Sequence, residues 1–146
     1  WAPSIPKEVF KIFHKYSDKN KLFLDLGSGD GIAVMIASLF FKYAYGIESD
    51  KEFFDLSETM KKKLGIENVT FIKEDFHNID FSNYDILFMA PDKEFTLKLE
   101  NKISNELDGM LIVYSSIFQP KTLNKVDQFE THYFDVSIYE NIPKKV

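Results

Sequence analysis

Leu24-Asp25-Leu26-Gly27-Ser28-Gly29-Asp30-Gly31 closes an apolar run that begins at Lys21 and opens a second apolar stretch with helical character. A buried strand that ends in a glycine-rich turn and leads into a helix is where open α/β sheets bind nucleosides. Glycine suits such a turn because, without Cβ, it takes positive φ and lets a ligand approach the backbone. Glycines alone are also compatible with an ordinary strand-to-helix turn, so the spacing has to decide. The dinucleotide pattern G-x-G-x-x-G needs its third glycine at position 32, which is Ile32, so Gly27, Gly29 and Gly31 read as G-x-G-x-G. That spacing fits a compact nucleoside better than a pyrophosphate. No G-x-x-x-x-G-K-[ST] occurs, which removes a P-loop nucleotide site.

Outward from the turn, strand-like and helix-like segments alternate, the pattern of a mostly parallel sheet with helices on both faces. Ser4-Ile5-Pro6 starts a first helix that places Val9, Phe13 and Tyr16 on one face. Lys21 to Leu26 is the first strand, and the helix after the glycines is expected to run through Phe41. Tyr43 to Glu48 reads as the second strand. Phe53, Leu56, Met60 and Leu64 mark one face of the next helix, which Gly65 stops. Val69 to Ile72, Tyr84 to Met89 and Met110 to Ser116 are strands three to five, with a loop over 74–83 and a helix from about Lys93. After Pro120, Phe134, Val136 and Ile138 alternate with Tyr133, Asp135, Ser137 and Tyr139, which predicts a closing antiparallel hairpin. The expectation is one domain over 1–146: a helical segment at 1–20, a βα core at 21–119 and the hairpin at 120–146.

Two acids fall where a nucleoside needs them. Glu48 ends the second strand 21 residues after Gly27, the interval at which a carboxylate reaches the ribose hydroxyls. Asp75, just past strand three, can accept from the exocyclic amine of adenine while the backbone N–H of Phe76 gives to a ring nitrogen. A loop-capping Asp is the competing explanation for that position.

Composition bounds the rest. At 146 residues, with 45% hydrophobic and 16% aromatic side chains, the chain has ample material for one packed core. A net charge of −5 disfavours a nucleic-acid surface, and all eighteen basic residues are Lys, so no guanidinium fork can clamp a phosphate. There is no Cys, which removes disulfides, thiolate metal sites and a Cys nucleophile, and three scattered His without H-x-x-H spacing argue against zinc. No apolar run approaches the ~20 residues of a bilayer span and no cleavable signal opens the chain, so a cytoplasmic domain is expected.

Leu24 to Gly31, Gly46-Ile47-Glu48 and Glu74-Asp75-Phe76 resemble, in order and spacing, the first three motifs of class I S-adenosyl-L-methionine (SAM) dependent methyltransferases. Ala2-Pro3-Ser4-Ile5-Pro6, Tyr84 to Pro91, and Leu97-Lys98-Leu99-Glu100 through Glu106-Leu107 resemble the compact archaeal-type protein-lysine methyltransferases and the related enzymes that methylate ATP synthase c subunits. The resemblance implies a Rossmann-like fold, SAM as cofactor and a Lys-bearing protein as partner, with a small-molecule or RNA acceptor, or a non-catalytic nucleoside-binding module of the same fold, as the alternatives. It implies that Gly27, Ser28, Gly29 and Gly31 line the cofactor, with Asp25 on the methionine ammonium, Glu48 on the ribose, and Asp75 and Phe76 at the adenine. Ala90-Pro91-Asp92 stands where many class I enzymes carry an acid or Asn before Pro-Pro, and Ala90 departs from that pattern, turning the expectation away from base or amide nitrogens. Ile5, Pro6, Met89, Pro91 and Phe118 are the candidate walls of the acceptor site, since the first helix and the ends of strands four and five would border the methyl group. No residue is assigned as a catalytic base.

Overall fold

The computed structural model describes residues 3–141; Ala2 of the opening motif and the last five positions of the hairpin segment lie outside them. Seven strands form a single sheet in the order β3-β2-β1-β4-β5-β7-β6. β1 (Asp18–Leu26), β2 (Phe41–Ile47), β3 (Val69–Ile72), β4 (Ile86–Met89) and β5 (Met110–Tyr114) run parallel. β7 (Asp135–Glu140) pairs antiparallel with both β5 and β6 (Lys125–Glu130). The expected mostly parallel sheet with an antiparallel terminal hairpin is the observed one. Strand order reverses at β1, which pairs with β2 on one side and β4 on the other, so its carboxyl end is a topological switch point.

Because β1 is buried on both faces, alternate residues feed two cores. Phe23 joins Phe13, Phe41, Phe88 and Val34 beneath α1 (Pro6–Lys15), α2 (Ile32–Ala37) and α3 (Lys51–Leu64). Leu24 and Leu26 join Leu87, Leu111 and Val113 beneath Leu99 and Ile103 of α4 (Leu97–Glu106). The first core is aromatic. Phe13 meets Phe23 and Phe88 edge-on with centroids 4.9 and 5.1 Å apart, and Phe23 stacks on Phe41 at 5.3 Å. Each such pair adds about 0.5–1.5 kcal/mol beyond its burial.

β1 and β2 begin at Asp18 and Phe41 rather than at Lys21 and Tyr43, and the helices differ from expectation in three respects. α2 ends at Ala37 rather than continuing through Phe41; Leu39 and Phe40 donate to the carbonyls of Ile36 and Ala37, tightening the chain into a turn, and Phe41 already pairs with Asp18 in the sheet. A continuous apolar run cannot by itself separate a buried helix from a buried strand. α4 starts at Leu97, where the Thr96 hydroxyl accepts from the Leu99 N–H at 3.1 Å, so Phe95 packs on the core from just outside the helix. On α3 the expected apolar face is rotated: Leu56 and Leu64 are exposed, while Phe54, Ser57 and Met60 turn inward. Gly65 ends that helix with φ +64°, as predicted.

Candidate functional site

At the carboxyl end of β1 the chain turns sharply. The N–H groups of Gly27 and Ser28 both donate to the Ile47 carbonyl, at 2.9 and 2.8 Å, and Gly27, Gly29 and Gly31 have φ of +79°, +54° and +81°. The glycines differ in what surrounds them. A Cβ on Gly27 would meet nothing within 4 Å, so that backbone faces open space. A Cβ on Gly31 would lie 2.6 Å from the Phe71 ring and 2.8 Å from Ser57 Oγ, so this glycine also lets the turn pack against β3 and α3.

Glu48 braces the turn from β2. One carboxylate oxygen accepts from Gly29 N at 2.8 Å and the other from Asp50 N at 2.9 Å, while Asp50 itself caps α3. Each oxygen keeps a lone pair for a ligand hydroxyl. Asp25, on β1 between Gly46 and Phe88, is only 3% exposed, and its carboxylate accepts no hydrogen bond among the described residues. Burial, followed by the negative charges of Glu48 and Asp30, pushes its carboxyl up to about 8. Ser28 Oγ is likewise buried without a partner. Asp75 is exposed; one of its oxygens accepts from His77 N at 2.8 Å and caps the 3-10 turn Phe76–Asn78, so the capping role is realised there. Phe76 is half-buried against the second core.

Asp25, Gly27 and Ser28 line a small pocket together with Ser4, Asp30, Ile32, Ala33 and Ala90. Ser4 and Ala90 also line a neighbouring cleft of about 470 Å³, so the two spaces adjoin at these two small side chains. The cleft is walled by Pro91, Tyr114, Phe118, Tyr133 and Phe134, and Asp92, Ser115 and Ser116 also line it. Of the five expected walls, Pro91 and Phe118 stand here. Ile5 lines a different groove between α1 and the hairpin, Met89 is buried in the second core, and Pro6 is exposed at the start of α1. These three do not line this cleft; the segment before α1 and the end of β4 border it through Ser4 and Ala90.

Sequence reasoning missed Tyr114, Tyr133, Phe134 and Glu8. The hairpin aromatics carry no motif. Glu8 does leave a signal, since it is an acid on the helix face that also presents Ile5 and Ile12. Its carboxylate, 6% exposed, accepts from Thr131 Oγ1 at 2.7 Å, from Tyr133 N at 3.0 Å and from the Tyr114 hydroxyl.

A family model described as "Methyltransferase domain" matches residues 17–138. Among solved structures, the fold is similar to an RNA methyltransferase from Salinibacter ruber in complex with S-adenosyl-L-homocysteine, with TM-score 0.80 and 20% identity over 99% of this chain and 98% of that one. It is also similar to a SAM-dependent O-methyltransferase from Thermotoga maritima, with TM-score 0.74 and 16% identity over 100% of this chain and 69% of that one. An rRNA methylase from Streptococcus thermophilus gives 0.71 and 14%, over 98% and 100%. No curated protein matches in sequence. At these identities the structural likeness establishes a shared fold.

Proposed function

This chain belongs to the methyltransferase-domain family, with SAM as its cofactor, and from that premise we propose that it transfers a methyl group to the side-chain amine of a protein lysine. The observation that carries the acceptor assignment is the wall chemistry of the cleft: four aromatic rings and Pro91, joined to the cofactor pocket past two small side chains, Ser4 and Ala90. Such a passage suits a slim alkyl chain with a nitrogen at its tip. Aromatic and apolar walls pack the alkyl stem, and their low polarity disfavours the charged ammonium relative to the free amine that attacks. The net charge of −5 and the absence of Arg weigh against an RNA acceptor, the substrate that two of the similar folds carry in their names.

The residues at the glycine turn fit the cofactor. A buried carboxylate and a buried hydroxyl that find no partner among the described residues, Asp25 and Ser28, are what a cationic amino-acid tail would satisfy. In this reading Asp25 accepts from the methionine ammonium, Glu48 from the ribose hydroxyls and Asp75, through its second oxygen, from the adenine amine, while Phe76 N–H gives to the ring. Gly27 leaves the backbone open to the nucleoside, while Gly31 lets the turn close on β3 and α3. SAM supplies the activated methyl carbon, and the protein supplies alignment and a dry passage. The proton shed by the lysine leaves to solvent, so no base is required of the cleft.

Incubating the protein with methyl-labelled SAM and a cell extract tests this. Methyl-lysine recovered from labelled protein, and lost with Gly29→Arg, is the expected result. Label confined to RNA or small metabolites refutes the lysine acceptor and leaves the cofactor assignment standing; absence of SAM binding by calorimetry refutes both.

A further inference from the structure

We propose that Glu8 is a positioning residue for the acceptor cleft, holding its aromatic wall from beneath; this rests on the reading of that cleft as the acceptor site. Glu8 lies on α1, yet its hydrogen-bond partners are 106 to 125 residues away in sequence, on β5 and on the turn between β6 and β7. One oxygen accepts from the hydroxyls of Tyr114 and Thr131, and the other from Tyr133 N–H. Thr131 Oγ1 also accepts from Phe134 N at 3.1 Å, and Thr131 N donates to the Phe134 carbonyl at 2.8 Å. Tyr114 packs edge-on to Phe134 with centroids 4.8 Å apart. One carboxylate thus fixes three of the rings that wall the cleft, Tyr114 through its hydroxyl, Tyr133 through its backbone and Phe134 through Thr131.

The exposure of Tyr133 separates positioning from plain stabilisation. Its side chain is 62% exposed and buries little apolar surface, so holding its backbone with a desolvated carboxylate does little for the core. The ring stands on the ridge between the acceptor cleft and the groove between α1 and the hairpin, because it lines both. Its placement therefore sets the width of the cleft mouth. None of these contacts reaches the glycine turn, and Glu8 does not line the cofactor pocket. A fault at Glu8 is felt by the acceptor and not by the cofactor.

The test compares the whole protein with Glu8→Gln, which keeps the size of the side chain but replaces one acceptor oxygen with a donor. With methyl-labelled SAM saturating and a dilution series of cell extract as the acceptor probe, the half-saturating extract concentration rises about five- to tenfold while the plateau rate stays within about twofold. SAM affinity by calorimetry is unchanged. Thr131→Val, which leaves the carboxylate in place, shifts half-saturation in the same direction by about threefold. An unchanged half-saturation, or a parallel loss of SAM affinity, overturns the positioning role. If label enters RNA or small molecules with the same shift, the lysine reading fails and the role of Glu8 stands. If the wild-type protein transfers no label, both fail.

Discussion

Asp25 and Glu8 are acids of nearly the same low exposure, 3% and 6%, and their chemistry diverges. Around Asp25 none of the described residues donates to the carboxylate, and burial and the nearby Glu48 and Asp30 charges push the carboxyl up to about 8. Around Glu8 burial also pushes upward, but the Thr131 and Tyr114 hydroxyls and the backbone N–H groups of Tyr133 and His132 outweigh it, and the group sits below its ordinary value. Burial alone does not decide what a carboxylate is for. A buried acid whose partners are built into the chain holds the chain together; one without them is, in the proposed reading, left for a ligand.

Removing each carboxylate should move stability in opposite directions. Glu8→Ala leaves the Tyr114 hydroxyl and the Tyr133 N–H without their acceptor and costs about 3 kcal/mol, read by denaturant unfolding. Asp25→Asn replaces a buried acid that the fold keeps largely protonated at pH 7.5 while the unfolded chain ionises it, so the cofactor-free domain becomes more stable while SAM binds about 10- to 100-fold more weakly by calorimetry. Equal losses of stability in both variants would break the contrast.

The pH dependence sharpens it further. Asp25, with its folded value raised from 3.8 to about 8, contributes stability that is full below about pH 4 and declines as pH rises toward 8. Glu8, with its folded value lowered from 4.5, contributes stability that is present above that value and lost as pH falls through the folded one. Stability profiles of the cofactor-free protein should therefore flatten between pH 4 and 8 in Asp25→Asn, and below pH 4.5 in Glu8→Gln. Because a bound cation favours ionised Asp25, SAM affinity climbs between pH 6 and 7.5 by at most about tenfold per pH unit, and Asp25→Asn loses that slope.

The cofactor end of this comparison was legible in the sequence, and the acceptor end was not. The glycine turn, Glu48 and Asp75 are local features attached to strand ends, so the strand pattern alone puts them at one sheet edge. Phe134 and Tyr133 reach the cleft only because β7 enters the sheet beside β5, and a period-2 pattern does not say which strand a hairpin joins. The same limit explains why only Pro91 and Phe118 of the five expected walls line this cleft. Met89 and Ala90 are adjacent on a strand end where side chains alternate faces, and Ala90, read only as a departure from a motif, is the one that lines both cavities. Phe40 and Phe41 misled in another way, since apolarity marks burial without saying in which element.

The most direct test follows the Asp25 carboxyl by carbon-13 nuclear magnetic resonance through a pH titration, without and with saturating SAM. A group waiting for a cationic ligand titrates near 8 in the cofactor-free protein and moves below the usual carboxylate range when SAM binds. A cofactor-free value near that of an ordinary aspartate, or a raised value that SAM leaves in place, would contradict the assignment of this pocket to the cofactor.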